Sequence, residues 1–325
     1  MEKPVTKFVL SVLLLGVFSI STQALNAKII AGEDATGDWP FMTAFFTYSS
    51  SAKGYYMFCG GSLIDEQYVL TAAHCVHGMS SSDLDDLLVN IGDLTPYDNA
   101  DNELRYIDEI YIHPSFSSST LQYDFAILKL DEASTKTPIS LGSVSSGDTV
   151  WTLGWGDMNP VYINGSTSAE YDFPTTLQIV ELSTISNSLC SSYYSSITSI
   201  YSNMVCAIGD SSTYTYNSNS YSIVGDSCQG DSGGPLIKQS GDDYVLVGTV
   251  SFGDGDTDST DVQIGCGDPD MPGVYGRVSS GESWIEAVLA GTVDPDLKAS
   301  SSSSGGSLPW FSVLGLPLLL IFRRR

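Results

Sequence analysis

Short apolar or alternating runs, broken by Gly, Pro, Asn and Asp, recur along most of the chain. Runs of this kind, with a period of two and turn residues between them, predict β-strands rather than helices. In the first half they fall at Phe41 to Tyr48, Ser62 to Ile64, Tyr68 to Thr71, Leu87 to Ile91, Tyr106 to Ile112 and Phe125 to Leu130, a set suited to one β-barrel. After a linker around Asp131 to Ser146, a second set predicts another barrel: Val150 to Leu153, Thr176 to Leu182, Met204 to Ala207, Pro235 to Lys238, Tyr244 to Ser251 and Gly273 to Arg277. Two long Ser/Tyr/Asn-rich stretches, Asn159 to Ala169 and Ser211 to Ser222, read as loops at the mouth of a cleft. Ser283 to Leu289 sets Trp284, Ile285, Val288 and Leu289 at helical spacing and predicts a terminal helix.

The two ends follow other rules. Residues 1–24 combine basic Lys3 and Lys7, an apolar run from Phe8 to Ile20 too short to span a bilayer, and small residues before Leu25, the pattern of a signal peptide. Residues 25–28 then form a very short segment ending in Lys28. Beyond residue 290, residues 291–304 read as a serine-rich tether with little capacity to pack. Residues 305–325 join Gly305-Gly306 to an apolar stretch, Leu308 to Phe322, and three terminal arginines.

Composition narrows the picture. The chain has 325 residues and a net charge of -25, which argues against nucleic acid as a partner. Its six cysteines, an even number behind a secretion signal, predict three disulfides formed outside the cytoplasm. The sequence alone does not choose their pairing.

Candidate chemistry centres on Gly225-Asp226-Ser227-Cys228-Gln229-Gly230-Asp231-Ser232-Gly233-Gly234-Pro235. A serine flanked by glycines can sit where the backbone aims N–H groups at a developing oxyanion. Ser232 is therefore the candidate nucleophile, and its hydroxyl needs a base and a group that orients the base. His74 lies in Leu70-Thr71-Ala72-Ala73-His74-Cys75, and Asp124 opens the apolar strand that runs to Leu130. His74, Asp124 and Ser232 follow one of the known chain orders of a nucleophilic triad. His77 and His113 are assigned no chemistry.

Six motifs in order, Ile29-Ile30-Ala31-Gly32, Cys59-Gly60-Gly61-Ser62-Leu63-Ile64, the Ala-Ala-His-Cys segment, Gly154-Trp155-Gly156, the Gly-Asp-Ser-Gly-Gly stretch and Pro272-Gly273-Val274-Tyr275, make residues 29 to 290 resemble the trypsin-like serine proteases of the chymotrypsin fold. The resemblance implies an all-β domain of two packed six-stranded antiparallel barrels, about 29–140 and 141–280, with a C-terminal helix. It implies a secreted endopeptidase whose general base is His74, oriented by Asp124, with Gly230 and Ser232 as oxyanion hole and Ser251 supporting Asp124. Asp226 would be the floor of the primary pocket and Gly253 and Gly273 its open walls, so cleavage would follow Arg or Lys. Phe252 stands where Trp is usual.

The same resemblance implies disulfides Cys59–Cys75, Cys190–Cys206 and Cys228–Cys266, with Ala35 and Ile179 replacing another familiar pair. It implies a zymogen: an activating trypsin-like protease would cut after Lys28, and the new Ile29 ammonium would pair with Asp231. No cofactor is implied for catalysis. Asp93 and Glu103 bracket an acidic loop that trypsins use for structural calcium. Asp254 to Asp261 is an acidic insertion at the pocket rim, read as a solvated loop that attracts basic residues. The tail from Gly305 resembles the GlyGly-CTERM signal of Gram-negative bacteria, which implies processing by a rhombosortase, type II secretion through the periplasm, and a secreted or cell-surface product. Lys298, in the expected tether, reads as a point of self-cleavage. The alternative is a catalytically silent binding protein on the same fold.

Overall fold

The computed structural model describes residues 29–49, 53–97, 103–163, 171–194, 198–253 and 262–300. The signal peptide, Lys28, the acidic insertion and the tail from residue 301 lie outside them. After a short strand β1 (Glu33–Asp34), the first barrel is built from β2 (Met42–Ser49), β3 (Gly54–Asp65), β4 (Tyr68–Thr71), β5 (Leu88–Ile91), β6 (Glu103–Ile112) and β7 (Ala126–Leu130), with helices α1 (Ala73–Val76) and α2 (Ser81–Asp85) between β4 and β5. The antiparallel order is β6-β5-β2-β3-β4-β7, and β7 pairs back onto β6 to close the ring.

A two-residue strand, β8 (Ser140–Leu141), leads into the second half. There follow β9 (Thr149–Gly154), β10 (Val161–Ile163), β11 (Gln178–Ile185), α3 (Asn187–Tyr193), β12 (Met204–Gly209), β13 (Ser211–Tyr216), β14 (Asn219–Val224), β15 (Pro235–Ser240), β16 (Asp243–Phe252), β17 (Val262–Ile264), β18 (Gly273–Arg277), α4 (Val278–Leu289) and β19 (Leu297–Lys298). The second ring runs β9-β11-β12-β18-β16-β15 and closes where β15 pairs β9. Two closed six-stranded antiparallel barrels result. Closure removes free strand edges, which a protein of this kind would otherwise have to shield.

The alternation that signals these strands is visible in β11, where Gln178, Val180, Leu182 and Thr184 are buried and their neighbours are less so. In β7, by contrast, Ala126, Ile127 and Leu128 are all buried, because one face fills the barrel and the other is covered. Phe125, just before it, is wedged between the barrels: a side chain added at Gly276 or Gly281 would meet its ring at 2.9 and 3.2 Å. Burying a ring of this size contributes about 2 kcal/mol, and it fixes the chain beside Asp124. Helix α4 starts at Val278, earlier than Ser283, and buries Trp284, Ile285 and Val288 in a core shared with the first barrel.

Several expectations need correction. The stretch Ser211 to Ser222 is not a loop but most of the β13–β14 hairpin, turned at Asn217 and Ser218 with φ of 49° and 67°. Its Ser/Thr/Tyr composition hides strands because much of both faces meets solvent. Of Asn159 to Ala169, residues 161–163 form β10 and pair with β17, and 164–169 lie outside the described residues. The linker around Asp131 to Ser146 contains β8, which pairs in parallel with β16. β3 begins at Gly54, well before Ser62.

Residues 291–300, expected as the start of a loose tether, pack onto the first barrel. β19 pairs β6 through Leu297↔Ile110 and Lys298↔Glu109, and the Asp296 carboxylate accepts the Ile112 N–H at 2.7 Å. Lys298 Nζ lies 2.9 Å from Glu109, and Ser300 bonds Asp85. The driving force is the part of β6 that runs past the end of its pairing with β5 at Tyr106, whose outward polar groups find partners in this segment. Among the described residues no helix is long and apolar enough to cross a membrane.

Candidate active site

Asp124 is fully buried, which is costly for a carboxylate unless donors surround it. Three do. Its Oδ1 accepts the backbone N–H of His74 at 2.9 Å, and its Oδ2 accepts His74 Nδ1 at 2.7 Å and the Ser251 hydroxyl at 2.6 Å. His74 is carried on α1, the single turn after β4, and its neighbour Cys75 is tied to Cys59 of β3. This fixes the ring with Nε2 facing away from Asp124 and 3.9 Å from the Cys75 sulfur. His74 and the sulfurs of Cys59 and Cys75 lie within 4.8 Å of one another, but disulfide sulfurs are not the thiolates that hold a metal.

Ser232 reaches the same place from the second barrel. Its carbonyl accepts the Gly60 N–H at 2.7 Å, and a side chain on Gly233 would collide with Thr71 Oγ1, the Gly60 carbonyl and the Ala72 amide. That close approach, with Gly233 at φ +76°, is why only glycine serves beside the serine. The chain segment bearing Ser232 thus sits directly against the segment bearing His74. Among the described residues the Ser232 hydroxyl makes no hydrogen bond, and neither do the backbone N–H groups of Gly230 and Ser232. Gly230 adopts φ +102°.

Asp231 turns inward from this bend. Its Oδ1 accepts the Gly156 N–H at 2.7 Å and its Oδ2 the Cys228 N–H at 2.8 Å. The carboxylate occupies the space a side chain would need at Gly154 or Gly156, which explains both glycines of Gly154-Trp155-Gly156. Burial pushes Asp231 up to about 7 against those two amides, with Asp157 adding repulsion. Ile29 is completely buried among Val144, Val150, Val180 and Leu182.

Asp226 floors a second recess, 3% exposed. Its Oδ1 accepts the Ser227 N–H at 2.8 Å. A side chain at Gly273 would collide with Oδ1, and one at Gly253 would come within 3.9 Å of Oδ2, so both glycines open onto the carboxylate. Burial pushes Asp226 up to about 7, against the amides of Ser227 and Gly267, and Asp231 adds repulsion. Tyr194 donates to the Pro272 carbonyl at 2.7 Å and meets Phe252 edge-on at 5.9 Å, bracing the rim.

All three disulfides have the expected pairing: Cys59–Cys75, Cys190–Cys206 and Cys228–Cys266. His113 is a packing residue, stacked on Tyr123 at 4.5 Å, and burial lowers its pKa. His77 only meets Phe116 edge-on. Ala35, just after β1, donates its N–H to the Leu177 carbonyl at 2.8 Å, and Ile179 in β11 pairs with Glu33, so backbone pairing joins the two segments there.

Glu103 is already occupied. Its oxygens accept the N–H and hydroxyl of Thr135 at 3.0 and 2.5 Å and lie 3.1 Å from Arg105. Burial raises its pKa, but hydrogen bonds from Thr135 and Ser134 and the Arg105 charge outweigh this and lower it. A carboxylate committed to a guanidinium does not fit a calcium ligand set with Asp93. Sequence reasoning missed Thr71 and the collision that makes Gly233 obligatory; the small-residue run before His74 was the available signal.

Two closed barrels with an Asp-oriented histidine and a glycine-bound serine at their seam define a serine hydrolase class. The Trypsin family model matches residues 29–285. The chain is 33% identical over 281 residues to Trypsin Tyr p 3.0101 of Tyrophagus putrescentiae, covering 82% of each protein. It is 33% identical over 272 residues to Trypsin 5G1 of Aedes aegypti, covering 81% of this chain and 85% of that one. With Transmembrane protease serine 7 of Mus musculus the identity is 32% over 271 residues, and the chain spans only 28% of that protein's length. The chain belongs to the trypsin family of serine proteases. Its three disulfides fit a secreted or extracellular protein.

Proposed function

We propose that the protein is a secreted endopeptidase, made as a zymogen, that cleaves peptide bonds after Arg or Lys. The observation that carries this specificity is the Asp226 carboxylate, buried yet faced by two glycines, Gly253 and Gly273. A long cationic side chain entering there would meet an otherwise unpaired charge, whereas a neutral one would strand it.

In the proposed mechanism His74 Nε2 takes the Ser232 proton as Oγ attacks the carbonyl carbon, and Asp124 holds the ring in the required tautomer. The free N–H groups of Gly230 and Ser232 receive the oxyanion. His74 then protonates the departing amine, leaving an ester on Ser232. Water, deprotonated by His74, releases the acid and restores the serine.

Cleavage after Lys28 would give Ile29 an ammonium, and its pairing with the buried Asp231 is the proposed switch, a pairing unavailable to the uncut chain. The Gly305-Gly306, apolar and triple-arginine tail supports sorting by a rhombosortase and type II secretion in a Gram-negative bacterium; that reading rests on the tail residues alone.

Labelling tests the nucleophile. A phosphonofluoridate should add to cleaved protein at Ser232, located by peptide mass mapping, and should fail to add to His74→Ala. Labelling elsewhere, or equal labelling of both proteins, would contradict the assignment.

A further inference from the structure

Three tyrosines stand together in solvent on the first barrel. Tyr48 and Tyr55 are cross-strand partners on β2 and β3, their rings edge-on at 5.5 Å. Two residues back on β2, Phe46 pairs with Leu88 of β5, and Leu88 pairs with Tyr106 of β6. Strand alternation puts all five side chains on one face, the outer one. Tyr48, Tyr55 and Tyr106 are 44%, 49% and 51% exposed. Partial burial, then the neighbouring Tyr106, Asp86 and Tyr48, push the Tyr55 pKa up, so the rings share one patch. Amphipathic rings gathered in an exposed patch mark a contact surface.

The chain's own tail leaves the fold at the edge of this patch. After β19, Ala299 donates its N–H to the Asp108 carbonyl at 2.9 Å, so the segment runs antiparallel to β6 toward Tyr106. The Ser300 N–H then donates to Asp85 at 3.1 Å, one residue from the Asp86 that acts on Tyr55. Residues 301–307 follow, then the apolar stretch Leu308 to Phe322, then Arg323 to Arg325. Fully extended, 301–307 would reach at most about 25 Å. Four strands about 4.8 Å apart make a face roughly 15 Å across, so the apolar stretch can reach all of it. That stretch falls short of the ~20 residues a bilayer crossing needs, which leaves it in want of another apolar partner.

Charge points the same way. Exposed acids border the face: Asp86 near Tyr55, Asp108 two residues beyond Tyr106, and Asp131, which accepts the Tyr106 N–H at 3.1 Å. Arg323 to Arg325 is the only run of consecutive basic residues in the chain. An anionic lipid surface would be repelled by the same acids. We propose that this face is the docking site of the chain's own tail, with Leu308 to Phe322 over the three tyrosines and the terminal arginines against Asp86, Asp108 and Asp131. Removal of the tail near Gly305 would bare the tyrosines. The proposal stands apart from the endopeptidase reading.

The test photo-crosslinks the full chain, tail included, in a Ser232→Ala background that stops self-digestion. p-Benzoylphenylalanine replaces Tyr55 or Tyr106 on the face, or the exposed Leu189 of α3 as a control. Equal amounts of isotopically light and heavy protein are mixed with phosphatidylcholine vesicles, irradiated and analysed by peptide mass mapping. The Tyr55 and Tyr106 probes should join residues 308–322 of the same copy at least about tenfold more often than the Leu189 probe does, because docking raises the local concentration of the tail. Arg323→Glu, Arg324→Glu and Arg325→Glu combined should lower that yield by about threefold or more. Adducts between light and heavy chains would make the face a contact between copies, and adducts to lipid alone would make it a membrane contact. Either result, equal yields from all three probes, or no adduct to the tail would overturn the proposal.

Discussion

The backbone N–H of Asp226 donates to the carbonyl of Ile30 at 3.2 Å. On the proposed reading this bonds the pocket floor to the second residue of the chain that activation would create, which would couple the activating cut to the pocket. A small arylamidinium that fills the recess should bind at least about tenfold more tightly after cleavage at Lys28 than before, since ordering of the floor is then no longer taken from binding energy. Lys28→Gln protein treated with the activating protease should keep the weak affinity. Calorimetry on both forms checks this.

Asp231 gives the uncut protein a distinctive response to pH. Its folded carboxyl is pushed up to about 7, while an unfolded aspartate titrates near about 3.9. Between those values the folded state keeps a proton that the unfolded state has lost, so its stabilising contribution is present at acid pH and is lost as pH rises toward about 7. Asp226, also pushed up to about 7, acts in the same direction. The melting temperature of the uncut protein should fall from pH 5 to pH 7.5 (about the window these shifts define), less steeply in Asp231→Asn, and less steeply after cleavage supplies an ammonium partner. Equal slopes in all three proteins would contradict the account.

Ser251 and His74 share one oxygen of Asp124. Asp124→Asn should lower kcat by about 10⁴ at neutral pH, because the amide favours the wrong tautomer of the ring. Ser251→Ala removes one donor to a buried charge and should cost about tenfold to a hundredfold in kcat with little change in KM. Steady-state kinetics on an arginine amide separates the two.

The strap from 291 to 300 changes the expectation for self-cleavage. Lys298 lies in β19, paired with β6 and bridged to Glu109, so the bond after it cannot be drawn into a protease cleft without unzipping that pairing. Limited digestion of folded protein by a lysine-specific protease should leave the 298–299 bond intact. Asp296→Ala combined with Glu109→Ala should expose it, read by mass spectrometry.

The residues proposed for catalysis could be picked out of the sequence because their demands are local: small residues around His74, glycines around Ser232, an acid opening an apolar strand. The same holds for the proposed Asp226 recess, since its walls must lack side chains. What escaped were features set by distant partners. The β13–β14 hairpin has loop-like Ser/Thr/Tyr composition because much of both its faces meets solvent, and β19 is two residues whose only reason to be extended is the edge of β6. The oxygens of Glu103 are taken up by Thr135, a partner 32 positions away that the acidic loop does not announce, as well as by nearby Arg105.

The most direct test of the account is kcat/KM on matched short amides ending in Arg, Lys, Phe or Ala, measured on protein cleaved at Lys28, with uncut protein, Ser232→Ala and Asp226→Ser beside it. The account predicts turnover of Arg and Lys alone, lower by at least about 100-fold in the uncut form, abolished in Ser232→Ala, and without the cationic preference in Asp226→Ser. Cleavage after Phe or Ala as fast as after Arg, or an uncut form as active as the cut one, would contradict it.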